Sequence, residues 1–100
     1  SEGGMVYAFD IDGVLTSEEG LQRYREVKDM RNVRVGVVSA RSKRSALNFL
    51  DETGLQPDFI RTGAAKGRIL RSIADEGVYI GSWGRDRFHA KVAGWEYKQI

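Results

Sequence analysis

Two aspartates one residue apart, Asp10 and Asp12, follow an apolar run over residues 5–9 and precede Gly13. Like charges this close repel, and burial makes each more costly. A cation would relieve that cost, and Mg²⁺ prefers carboxylate oxygens together with waters and substrate phosphate. Farther along come Ser39 with Arg41 two residues later, then Lys66, then Ser82 and Asp86. Carboxylates, a hydroxyl and cations are what phosphoryl transfer needs, because that chemistry is mostly positioning and charge neutralisation. Each residue alone has a plainer reading. A D-x-D pair is common in turns. Ser39 suits a helix cap, and Lys66 suits a solvated helix face. Asp86 suits the first turn of a helix, facing its dipole. His89, the single histidine, reads as structural or exposed, and Trp83, Trp95 and Tyr97 read as packing rather than base stacking. The set becomes informative only if the chain brings its members together.

The pattern of elements predicts that it does. Residues 5–11, 33–40, 58–62 and 77–81 read as strands, the first two apolar on consecutive positions, as strands buried on both faces are. Residues 95–100 alternate like a half-exposed edge strand. Between them, residues 21–30, 42–53, 65–76 and 85–93 carry helical apolar spacing, and Gly54, Gly77 and Gly94 follow three of these segments as cap candidates. Alternating strands and helices predict an α/β fold, a three-layer sandwich with a parallel five-stranded Rossmann-like sheet. Ligands of such sheets bind beyond the carboxyl ends of the strands. The first strand leads into Asp10 and Asp12, and the second ends in Ser39 and Arg41. Lys66 lies beyond the third, and Ser82 and Asp86 lie beyond the fourth.

Composition narrows the class. Residues 1–4 read as a remnant of expression, which leaves residues 5–100 as one domain. No apolar stretch is long enough to span a membrane, and no signal-peptide pattern is present. With no cysteine, disulfides and cysteine-based zinc sites are excluded, and the chain fits a reducing, cytoplasmic setting. The net charge is +2, with acids interspersed among the bases, which gives nucleic acid only weak support as a partner.

The motifs resemble those of the haloacid dehalogenase superfamily, the Mg²⁺-dependent aspartyl-phosphate hydrolases, over essentially the whole chain from Met5. "FDIDGVLT" is similar to that family's first motif, "VVSARS" to its second, "KGRIL" to its third and "YIGSWGRDRFHAKVAG" to the region of its fourth. The resemblance implies a phosphatase in which Asp10 is the nucleophile and Asp12 the general acid and base. It implies that Ser39, Arg41 and Lys66 hold the phosphoryl group, Lys66 neutralising charge. Asp10, Asp12 (through its carbonyl) and Asp86 would hold Mg²⁺.

Two departures stand out. Ser82 occupies the place where the family carries a metal-binding aspartate, which implies weaker Mg²⁺ binding or a lost activity. No cap domain fits between the motifs, so the implied site is open, suited to a macromolecular phosphate or to cover by a second copy of the chain. Arg41, Lys43 and Arg44 beside Ser39 suggest nucleic-acid ends as one substrate class, and Ser82 suggests a non-catalytic phosphate-binding domain as another reading. A phosphoacceptor receiver domain fits poorly, because the third strand, "DFIRTG", ends without an aspartate.

Overall fold

The structure, a computed structural model, describes residues 4–100. Residues 1–3 of the expected remnant lie outside the described residues. Strands and helices alternate as β1 (Met5–Phe9), α1 (Glu18–Lys28), β2 (Val33–Ser39), α2 (Lys43–Thr53), β3 (Phe59–Thr62), α3 (Lys66–Ile73), β4 (Val78–Gly81), α4 (Gly84–Ala93) and β5 (Glu96–Gln99). All strand pairs are parallel, in the order β3-β2-β1-β4-β5. This is the expected α/β three-layer sandwich with a five-stranded Rossmann-like sheet. No helix among the described residues is long and apolar enough to cross a membrane.

The central strands are apolar on consecutive positions because each face of the sheet has its own core. On one face Phe9, Val35, Val37 and Ile80 pack with Tyr24 and Val27 of α1 and Ala46 and Leu50 of α2. On the other, Val6, Ala8, Val38 and Tyr79 pack with Leu70 of α3 and Ala90 and Ala93 of α4. Burying each large apolar side chain contributes roughly 1.5–3 kcal/mol, so the two cores hold β1 and β2 rigid beneath the residues that follow them.

Local chemistry moves several boundaries. Helix α1 starts at Glu18 rather than Leu21, because the Ser17 hydroxyl accepts the Gly20 N–H and Glu18 and Glu19 face the positive end of the dipole. Gly54 and Gly94 adopt the left-handed conformation after α2 and α4. Gly77 does not: α3 ends earlier, with Ala74 extended after Ile73. At Gly77 a Cβ would lie 2.8 Å from both Trp95 and the Val6 carbonyl, so close packing, not capping, requires glycine there.

Tyr24 meets Phe9 edge-on at 5.3 Å, and its buried hydroxyl has no hydrogen-bond partner among the described residues. Burial, reinforced by Asp58, pushes its pKa up to about 12. Tyr24→Phe removes the stranded hydroxyl and keeps the ring, so it is expected to stabilise the fold by about 1 kcal/mol. Urea unfolding of the two proteins measures this, and a lower midpoint in the variant would contradict it.

Candidate active site

From β1 the chain runs outward through β2 to β3, then crosses back to build β4 and β5 on the other side. The carboxyl ends of β1 and β4 therefore flank the point where the winding reverses, the usual ligand crevice of an open α/β sheet. Asp10 directly follows β1 and is anchored by its N–H donating to the Ile80 carbonyl at 3.0 Å. After it the chain turns sharply through Ile11–Leu15, with Asp12 extended and Gly13 at φ +79°. Gly13 is required twice over, because its φ is left-handed and a Cβ would overlap Ser82 Oγ. Gly81 ends β4 for a related reason. A Cβ there would fall 2.6 Å from Asp86 Oδ2, so only glycine lets that carboxylate fold back over the strand end.

The centre of the site is a buried ion cluster. Lys66, the first residue of α3, donates from Nζ to Asp10 Oδ2 and to Asp86 Oδ1, both at 3.0 Å. All three side chains are at most 10% exposed. Asp10 Oδ1 also accepts the Ile11 N–H at 2.8 Å, and Asp86 Oδ2 accepts the Ser82 and Trp83 N–H groups at 3.3 Å. Burial raises the Asp10 pKa; Lys66 pulls it back down, and Asp86 adds to the rise. The sequence poses Asp10 and Asp12 as a repelling pair in need of a cation. The structure separates them: Asp10 turns inward to an ammonium of the chain itself, and Asp12 turns outward.

Asp12 is 64% exposed and is gripped by Arg41, whose Nη2 donates to Oδ1 at 2.8 Å and whose Nε donates to Oδ2 at 3.1 Å. The Arg41 hydrogen bonds hold the Asp12 carboxyl below its usual range. In this state Arg41 is committed to Asp12 rather than open to phosphate. Ser39, expected to bind phosphate, is fully buried, and its Oγ accepts the Arg41 N–H at 3.1 Å. Ser39 does not line the cavity shared by Asp10 and Lys66; the neighbouring Ala40 does. Arg41→Gln is expected to raise the Asp12 midpoint toward the ordinary carboxylate value in an NMR carboxyl titration. Stability should change little, because exposed pairs contribute about 0–1 kcal/mol. An unmoved midpoint would contradict this account of Asp12.

Asp10, Asp12, Lys66, Ser82 and Asp86 line one cavity of about 340 Å³, with Trp83 at its edge. Larger hollows lie between α3 and α4 (about 610 Å³) and at the amino ends of the strands (about 670 Å³). The first of these has no acidic group in its lining, and the second is at the wrong end of the sheet for these residues.

Ser82 Oγ donates to the Asp12 carbonyl at 3.1 Å. Asp10, Asp12 and Ser82 bring hard oxygens to one cavity, and the carboxylates of both Asp10 and Asp86 are engaged by Lys66 and by backbone amides. Among the described residues, no three His, Cys, Asp or Glu side chains gather as a metal cluster. One carboxylate with neutral oxygens fits Mg²⁺, which keeps several waters and adds substrate phosphate, but with little charge to hold it.

Trp95 is buried, as expected of a packing residue, and Tyr97 is half-buried. Trp83 is not a packing residue: it is 64% exposed. Its position directly after Ser82 was the only sequence signal for a place at the cavity edge. No family model, curated protein or solved structure matches the chain.

Proposed function

We propose that the chain is a small Mg²⁺-dependent phosphohydrolase of the haloacid dehalogenase type, without a cap, acting through an aspartyl-phosphate. The observation that supports this best is the buried Asp10–Lys66–Asp86 cluster at the crevice between β1 and β4, with Asp12 two residues beyond Asp10. A lysine between two buried carboxylates keeps a carboxylate ionised in an apolar setting, as a nucleophile requires.

In this reading an Asp10 carboxylate oxygen attacks phosphorus, and the phosphorus–oxygen bond to the leaving group breaks. Asp12 gives its proton to the departing oxygen. Water then attacks the aspartyl-phosphate, Asp12 takes a proton from it, and phosphate leaves with the Asp10 carboxylate restored. Lys66 stabilises negative charge on Asp10 and on the phosphoryl oxygens. Asp12 acts first as an acid, yet the Arg41 clamp favours its anion. Arg41 therefore releases Asp12 when substrate arrives and turns to a phosphoryl oxygen. Ser39 positions Arg41 through its backbone amide. Mg²⁺, when bound by Asp10, the Asp12 carbonyl, Ser82 and waters, supplies further positive charge to the phosphoryl oxygens.

Ser82 makes a testable statement about the metal. Ser82→Asp adds a carboxylate beside the Asp12 carbonyl and is expected to lower the Mg²⁺ concentration for half-maximal hydrolysis of an aryl phosphate by about tenfold, since ligand charge sets affinity. An unchanged Mg²⁺ requirement would remove Ser82 from the metal site. A second reading, a phosphate-binding domain without turnover, draws on the same serine and on the Asp12–Arg41 clamp. Phosphate binding by a wild-type protein that hydrolyses nothing, with activity appearing in Ser82→Asp, would favour it.

A further inference from the structure

We propose that Trp83 is a stacking platform that selects substrates carrying a nucleobase, so that the group hydrolysed is the terminal phosphate of a nucleotide; this rests on the phosphohydrolase reading above. The chain has two tryptophans, and the fold treats them oppositely. Trp95 is 5% exposed, and its ring nitrogen donates to the Ala74 carbonyl. Trp83 is 64% exposed at the edge of the cavity that holds Asp10 and Lys66. A loose loop does not explain that exposure. The Trp83 N–H donates to Asp86 Oδ2 at 3.3 Å, and its carbonyl accepts the Tyr97 hydroxyl at 2.8 Å. Both backbone groups are held, one by the ion cluster itself, while the ring stands in solvent. Leaving so large an apolar surface exposed forgoes burial energy. A ring presented in this way beside a phosphate site suits a planar leaving group.

The surrounding charge identifies which planar group. The Arg85 guanidinium lies 5.8 Å from the Trp83 ring centroid, and Arg87 lies over Tyr97 at 5.0 Å. Arg41, paired with Asp12, and Lys43 and Arg44 lie between the end of β2 and the start of α2, at the same end of the sheet as the cavity. The acidic start of α1, Glu18 and Glu19, lies at the same end of the sheet, so the basic side is that of α2 and α4. Exposed aromatic faces among arginines are the pattern by which proteins hold unpaired bases and their phosphates. A sugar phosphate without a base would gain nothing from the ring.

Binding separates this proposal from the catalytic one. In Asp10→Asn protein, which keeps the ligand intact, calorimetry would compare adenosine 5′-monophosphate with ribose 5-phosphate. The nucleotide is expected to bind about 5- to 100-fold more tightly, the range for stacking one base. Trp83→Ala should erase that advantage and leave ribose 5-phosphate binding unchanged, while Trp83→Phe should keep most of it. Equal affinities in the parent protein, an advantage that survives Trp83→Ala, binding of neither ligand, or O-phosphotyrosine binding as tightly as the nucleotide would each overturn the proposal. A phosphorylated oligothymidylate that binds more tightly than thymidine monophosphate, in a salt-dependent way, would identify a strand end as the ligand. Equal affinity would identify the free nucleotide. A stacking advantage in a protein that never turns over substrate would refute the phosphohydrolase reading and leave Trp83 as a nucleotide platform.

Discussion

Lys66→Met is expected to destabilise the protein by about 3–5 kcal/mol near neutral pH, the loss that follows when one partner of a buried ion pair is removed. Methionine fills a similar volume, so the effect isolates charge. Asp10 and Asp86 would then face each other across the site with no cation between them. Burial already raises the Asp10 pKa, and Lys66 is the main force opposing that rise. In the variant the Asp10 carboxyl moves further up. A carboxyl whose folded pKa lies above its unfolded value favours folding while protonated, and that contribution fades as pH rises through the folded value. The penalty of Lys66→Met should therefore shrink as pH falls. Urea unfolding of both proteins at about pH 7 and about pH 5 measures the difference. A loss that is equal at the two pH values would show that Lys66 acts by packing rather than by charge.

Asp10→Asn is expected to lower phosphate release by about 10⁴-fold or more, the scale of losing a covalent nucleophile. The fold should survive, because Lys66 keeps Asp86 as a partner and the single amide oxygen still accepts one of the two hydrogen bonds that the carboxylate accepts, from the Ile11 N–H or from Lys66. Circular dichroism and a melting curve close to wild type would confirm that the loss is chemical. In the metal-free wild type the Asp10 carboxyl is expected to titrate above the ordinary carboxylate range, because burial outweighs the pull of Lys66. An NMR carboxyl titration measures this, and a midpoint at or below the ordinary range would contradict it.

The architecture was legible because the strands that carry it are buried on both faces. Runs such as residues 33–40 leave no room for a polar face, and the strand–helix alternation then allows few topologies. The helix boundaries were less legible where a side-chain cap outweighed apolar spacing, as Ser17 does at α1. Gly77 looks like a cap in the sequence because glycine serves backbone conformation and close packing equally well, and only the contacts with Trp95 and the Val6 carbonyl separate the two. At the site, the convergence of Asp10, Asp12, Lys66, Ser82 and Asp86 followed from strand-end positions alone. Their pairing did not. Nothing in the order of residues distinguishes a lysine waiting for phosphate from one bridging two carboxylates, or an arginine open to substrate from one clamped on Asp12. Those choices depend on side-chain reach across the sheet. Trp83 was missed for the opposite reason: tryptophan is usually packed, and only its exposure in the fold marks it as different.

The proposed role of Asp10, as nucleophile of a Mg²⁺-dependent phosphohydrolase, is tested most directly by the rate of p-nitrophenyl phosphate hydrolysis by wild type and Asp10→Asn, each with excess Mg²⁺ and with a chelator. Wild type with Mg²⁺ is expected to release p-nitrophenol, and the other three conditions are expected to give background rates. Equal rates in wild type and Asp10→Asn with Mg²⁺ would contradict it.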